Sequence, residues 1–129
     1  MSDAKSNYLE LKVLDHFLGT ASTSAPSNVY LALHTANPTD AGSGAEVSGN
    51  GYSRQVITFA SASSGSAASN SVEEFTASGG AFGTVTHFGI WDASSSGNLL
   101  YYGALSASKT IADGDTLRFA SGAITISEA

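Results

Sequence analysis

Three histidines, His16, His34 and His87, are the side chains of this chain best suited to hold a metal or move a proton at neutral pH. Their spacing argues against both. None is followed by the Glu-x-x-His or cysteine spacing that zinc sites use, and the chain has no cysteine. His87, between Thr86 and Phe88 in a β-branched run, reads as a packed or hydrogen-bonded histidine. His34, at the mouth of a long polar loop, reads as a solvent-facing strand end. In that loop Asn37, Asp40, Glu46 and Asn50 offer the oxygens that calcium takes, but not at the spacing of a helix-loop-helix calcium site. They are expected to form turns and meet solvent, as Asn and Asp commonly do. Glu73 and Glu74 are adjacent, so on a strand they point to opposite faces and make a poor acid-base couple. They read as a charged strand edge that discourages stray pairing.

Nucleophilic and phosphate chemistry fare no better. The 22 serines include no Gly-x-Ser-x-Gly elbow, and Gly42-Ser43-Gly44 and Gly49-Asn50-Gly51 lack the Lys and the strand-to-helix setting of a phosphate loop. Trp91, Tyr101 and Tyr102 are flat rings on which a sugar could stack. Core or subunit packing is the stronger reading, because adjacent Tyr101 and Tyr102 must face opposite sides of a strand. No catalytic residue, cofactor or metal is therefore expected, and the chain reads as a non-enzyme.

Composition narrows the class further. At 129 residues one domain is the default. Only 12% of residues are charged, against roughly 25% in an ordinary soluble protein. With 22 serines and 11 threonines, the surface suits broad neutral contacts better than a charged cleft. A net charge of −6 with only five basic residues disfavours nucleic acid. No stretch approaches the ~20 apolar residues of a membrane helix, and no signal-peptide pattern opens the chain, which implies a protein made and kept soluble in the cytoplasm.

Periodicity supplies the elements. Tyr8, Leu11, Leu14 and Leu18 recur at helical spacing, with Val13 and Phe17 widening the stripe. Ser6 or Asn7 can cap this helix, Glu10 completes an Asn-x-x-Glu arrangement from Asn7, and Gly19 suits its exit. About twelve residues make a marginal helix alone, so it must dock on its own domain or on a partner. A strand is expected from Val29 to Thr35, with Val29, Leu31 and Leu33 on one face and Tyr30, Ala32 and His34 on the other. A sixteen-residue loop without periodicity, 36–51, is long for a compact domain and reads as functional or as held by a neighbour. Strand character returns from Tyr52 to Phe59, a flexible connector follows over 61–67, and a short strand is expected around Ser69 to Phe75. A hairpin then runs from about Thr84 to Trp91 and from Leu99 to Leu105. A last pair turns at Ser121-Gly122, with Leu117 and Phe119 on one side and Ile124 and Ile126 on the other. The pattern predicts a mainly β fold: an antiparallel β-sandwich or jelly roll of about seven to eight strands with one N-terminal α-helix. Residues 1–27 form a helix and connector, a docking arm, and residues 28–129 form the sandwich.

The run Gly83-Thr84-Val85-Thr86-His87-Phe88-Gly89-Ile90-Trp91-Asp92, followed by Leu99-Leu100-Tyr101-Tyr102-Gly103, carries a resemblance. So do Leu31-Ala32-Leu33-His34-Thr35 and Glu46-Val47-Ser48-Gly49-Asn50-Gly51-Tyr52-Ser53-Arg54. In this order, over Tyr8 to Ile126, the blocks resemble the small tailed-bacteriophage structural proteins often labelled phage tail fibre protein, some relatives of which coat capsids. The resemblance implies a virion protein, best read as a homotrimer that decorates and stabilises the capsid by binding the major capsid protein. The alternative it implies is a tail fibre, fibre tip or adaptor that contacts the host receptor. On either reading the candidate contact residues are Tyr8, Leu11 and Phe17 of the helix, His34, Asp40, Glu46, Tyr52 and Arg54 in and around the long loop, and Trp91 and Tyr101 of the hairpin.

Overall fold

The longest β-branched and aromatic run of the chain builds its longest ladder. Gly83–Trp91 (β6) and Leu99–Ile111 (β7) pair antiparallel, with bulges between Val85 and His87 and between Ile90 and Trp91. β7 runs six residues beyond the expected Leu105, because Gly83 and Thr84 extend the ladder to Ile111 and Thr110. The computed structural model describes residues 3–43 and 45–127. The other elements are Asp3–Lys5 (β1), Asn7–Phe17 (α1), Val29–His34 (β2), Gln55–Ile57 (β3), Ser66–Ala68 (β4), Glu73–Thr76 (β5), Thr116–Phe119 (β8) and Thr125–Ser127 (β9). The fold is mainly β and antiparallel with one helix near the N-terminus, as expected, and has nine strands among the described residues.

A five-stranded sheet in the order β1-β7-β6-β2-β3 forms one layer, and two short ladders, β4-β9 and β5-β8, form the other. Between them lies the main core, with Leu31, Leu33, Ile57, Phe75, Val85, Phe88, Ile111, Leu117, Phe119 and Ile124 all buried. Burying a side chain such as Phe88, which is fully enclosed, stabilises the fold by roughly 1.5–3 kcal/mol. Alternation in β2 sends Leu31 and Leu33 to this core and Ala32 and His34 to the opposite face. That face carries a second small core of Ala32, Trp91 and Leu99.

Several sequence expectations are corrected by pairing at a distance. The segments around Leu117 and Ile126 are not a hairpin: β8 pairs with β5, and β9 pairs with β4. The expected connector over 61–67 contains the start of β4, whose Ser and Ala residues give no apolar alternation. Ser69 makes only a single bridge, to Phe59, and the strand proper begins at Glu73. Glu73 and Glu74 do face opposite sides, but Glu73 is buried and accepts the Ser71 hydroxyl, so only Glu74 presents charge at the edge, beside Arg118. β1 pairs with β7, so residues 3–5 are built into the sheet and α1 leaves from its margin.

Candidate functional site

α1 is fixed at its N-terminus, half-buries Tyr8, Leu9, Lys12 and Val13, and leaves one apolar face exposed. Ser6 is the N-cap, and its hydroxyl accepts the Leu9 N–H at 3.2 Å. Glu10 therefore lies one position too far for a capping box, and its N–H bonds the Ser6 carbonyl at 3.0 Å. The Ser6 hydroxyl also donates to the Leu99 carbonyl, the Ser6 N–H to the Leu100 carbonyl at 2.9 Å, and the Asn7 N–H to the Asp40 carbonyl at 2.9 Å. Beyond this anchor no residue of α1 is buried, and Leu11, Leu14, Phe17 and Leu18 are 54–77% exposed. Tyr8 is half-buried, with the Lys12 ammonium 5.6 Å from its ring centre.

Most of the long loop is exposed, Asn37, Asp40 and Asn50 included, as expected of turn residues. Gly42, however, lies against Trp91 and Leu99 on the outer face, and residues 45–47 run beside the end of β2. The Thr35 N–H bonds the Ala45 carbonyl at 2.8 Å, the Val47 N–H bonds the Leu33 carbonyl at 3.0 Å, and Glu46 bridges to His34. His34 is thereby wholly enclosed rather than solvent-facing. Its Nε2 accepts a long bond from the Trp91 indole N–H at 3.4 Å. Gly89 lies directly beneath, where an added Cβ would come within 2.8 Å of both rings, so only glycine admits this contact.

Arg54 closes the arrangement. Its guanidinium lies 4.1 Å from the Trp91 ring centre and grips Glu46 at both oxygens, Nε to Oε2 and Nη2 to Oε1, each at 2.8 Å. Nη1 reaches the carbonyls of Ala93 and Ser96, at 2.9 and 2.8 Å, in the β6–β7 loop. Tyr52 donates its hydroxyl to Glu46 at 2.6 Å and accepts the Leu33 N–H at 3.1 Å, while its ring stacks on Phe75 in the main core. Burial is the largest influence on the Glu46 carboxyl and pushes its pKa up. Hydrogen bonds from Arg54 and Tyr52, with the charges of Arg54 and His34, outweigh it and hold the group below its ordinary 4.5. The Tyr52 hydroxyl is pushed up, first by burial and then by its bond to Glu46.

Five of the ten sequence candidates, His34, Glu46, Tyr52, Arg54 and Trp91, thus meet in one clasp. Asp40 stands beside it and accepts the Tyr102 hydroxyl, a bond that raises the tyrosine to about 12, with burial adding to it. Tyr101 faces the other way, against the main core. The four loop residues considered for calcium diverge. Asn37 accepts the Thr39 N–H, Asp40 binds Tyr102, Glu46 binds Arg54, and Asn50 donates to the Ala81 carbonyl. His34 and His87 are register partners across β2 and β6, yet among the described residues no three His, Asp or Glu gather as a metal set. Trp91 is only 9% exposed, so its ring is no platform open to a sugar. The Arg54–Trp91 stack is absent from the sequence reading. The available signal is that Arg54 is one of only five basic residues, set beside Tyr52 in an otherwise neutral stretch.

A two-layer antiparallel sandwich, with its polar residues tied to one another and one apolar helix face exposed, has the anatomy of a structural contact module. A protein-family model described as Podophage GP4 fiber I protein gp80 matches residues 4–127, and the chain belongs to that family. No curated protein matches the chain. The family is one of phage fibre proteins, which agrees with the resemblance seen in sequence and implies a place in the virion. Its description carries no capsid-coating relation. Among the described residues, no helix is long and apolar enough to cross a membrane.

Proposed function

We propose that the protein is a non-enzymatic component of a podophage fibre, acting as a fibre part, tip or adaptor through contacts with other virion components and with further copies of itself. The match to a fibre family over residues 4–127 carries this reading. It favours the fibre role over the capsid-decoration role that the sequence first suggested. The clasp supports a mechanical part. Glu46, Arg54, Trp91 and Tyr52 tie the long loop, the hairpin loop and both cores together, which suits a body that must transmit load without deforming. The N-terminal segment, with its exposed stripe, is the docking arm, and a homotrimer is the assembly expected of it.

The test is the copy number per purified virion, by quantitative mass spectrometry against the major capsid protein. A small multiple of the number of fibres is expected. Hundreds of copies in fixed ratio to the shell would overturn the fibre role in favour of decoration, and absence from the particle would overturn a virion role altogether.

A further inference from the structure

Asn50-Gly51 is the only Asn-Gly step in the chain. At such a step the main chain attacks the asparagine side chain most readily, because glycine has no Cβ to shield its amide nitrogen or restrict its approach. The structure leaves this step in the open and also ties it down. Asn50 is exposed and sits at φ 56, with Gly51 at φ 81, a left-handed turn that Asn and Gly tolerate. Its carboxamide nitrogen donates to the Ala81 carbonyl at 2.8 Å. Its own carbonyl accepts the Ser78 N–H at 2.8 Å, and the Tyr52 N–H closes the turn on the Gly49 carbonyl at 3.0 Å. Gly80 lies so near that an added Cβ would come within 2.6–2.8 Å of the carboxamide. One side chain thus fastens the loop that delivers Tyr52 to the loop that delivers Phe82, whose rings meet edge-on at 5.8 Å.

We propose that Asn50 is a site of spontaneous deamidation, that its bond to Ala81 sets the rate, and that the product opens this junction. The Gly51 amide nitrogen, having given up its proton, attacks Asn50 Cγ. The N–Cγ bond forms, the Cγ–Nδ2 bond breaks, and Nδ2 leaves with the proton as ammonia. Water then opens the succinimide ring. Cleavage at Cγ gives aspartate, and cleavage at the main-chain carbonyl carbon gives isoaspartate, with the chain routed through the side chain. No reactant besides water is needed. The nitrogen that must leave is the atom that Ala81 holds, so ring closure waits for the junction to open, and one hydrogen bond of this kind slows it roughly two- to tenfold. Aspartate at this position presents an oxygen to the Ala81 carbonyl where a donor stood, and the bond cannot re-form. Isoaspartate also lengthens the chain by one methylene just before Gly51 and displaces Tyr52, whose hydroxyl holds Glu46. The junction therefore loosens irreversibly as the protein ages. The nearby Asp113-Gly114 step is placed differently. Its Gly114 N–H is bound to the Ala77 carbonyl at 2.8 Å, and Asp113 Oδ1 accepts the Gly79 N–H at 3.1 Å, so it serves as an internal control that stays unmodified.

Peptide mapping by mass spectrometry, with enzymatic labelling of isoaspartate, tests this on the full chain incubated at mildly alkaline pH, both native and in urea above its unfolding transition. Asn50 is expected to convert before any other asparagine, and roughly two- to tenfold more slowly in the native chain than in the unfolded one. Gly80→Ala pushes the carboxamide off Ala81, and this variant, once circular dichroism shows it folded, is expected to react at close to the unfolded rate. Should it fail to fold, Ser78→Pro takes its place by removing the N–H given to the Asn50 carbonyl. Asn50→Asp is expected to have a lower urea midpoint than the wild type. The proposal is overturned by a native chain that keeps Asn50 after the unfolded chain has fully converted, or by earlier reaction at another asparagine. It is equally overturned by a folded Gly80→Ala that reacts no faster than wild type, or by an Asn50→Asp midpoint equal to that of the wild type. None of these readouts depends on where the protein sits in the virion, so their failure is distinct from failure of the fibre reading.

Discussion

At the scale of single residues, the clasp joins groups that are costly to separate. Arg54 has 6% of its side chain exposed and Glu46 has 25%, so removing one partner leaves the other desolvated and unpaired. Breaking a buried pair in this way costs about 3 kcal/mol or somewhat more, whereas replacing both members by apolar groups of similar size is often close to neutral. Glu46→Ala is therefore expected to lower stability by about 3 kcal/mol, with Arg54→Met in a similar range. The double variant Glu46→Leu with Arg54→Met is expected to recover much of the loss. A double-mutant cycle from urea unfolding measures the coupling, and single losses below ~1 kcal/mol would show that the pair behaves as an ordinary surface bridge.

At the scale of elements, α1 separates anchoring from exposure. Ser6 holds the first turn to the hairpin through its hydroxyl, so Ser6→Ala is expected to cost about 1–2 kcal/mol. Phe17→Ser, on a residue 77% exposed, is expected to change monomer stability by less than about 0.5 kcal/mol. Thermal unfolding of both variants under monomeric conditions checks the contrast. A large loss at Phe17 would mean that the stripe is covered within the chain. The helix itself was legible because its apolar residues recur at helical spacing, and β2, β6 and the start of β7 because their apolar residues alternate. The short ladders were not. β4 is Ser-Ala-Ala, and the pairings of β4 with β9 and of β5 with β8 join segments some 40–60 residues apart, which local pattern cannot encode. The clasp was legible only as a set of candidates. Glu46, Arg54 and Trp91 were each singled out, but their meeting depends on the fold of a loop that has no periodicity.

At the scale of the whole molecule, the same contacts set the pH range over which the fold is strongest. Glu46 has a pKa below its ordinary 4.5 in the fold, so its contribution is complete above that value and is lost as pH falls through the folded pKa. His87 is lowered from 6.5 by burial, which favours its neutral form; the unfolded chain then takes up the proton first, and stability declines as pH falls below 6.5. Tyr102 works in the opposite direction. Its bond to Asp40 raises it from 10.0 to about 12, so its contribution is present below 10 and disappears as pH climbs toward 12. These three effects predict a plateau of stability between about pH 6.5 and 10, with an acid limb that steepens below 4.5. Urea midpoints measured across this range check it, with Glu46→Gln expected to start lower and to lose less below pH 4.5, and Asp40→Asn to start lower and to lose less above pH 10. A chain of net charge −6 has its least self-repulsion near its isoelectric point of about 4.7. A stability maximum there would show that long-range repulsion, and not the clasp and its neighbours, governs how the fold responds to pH.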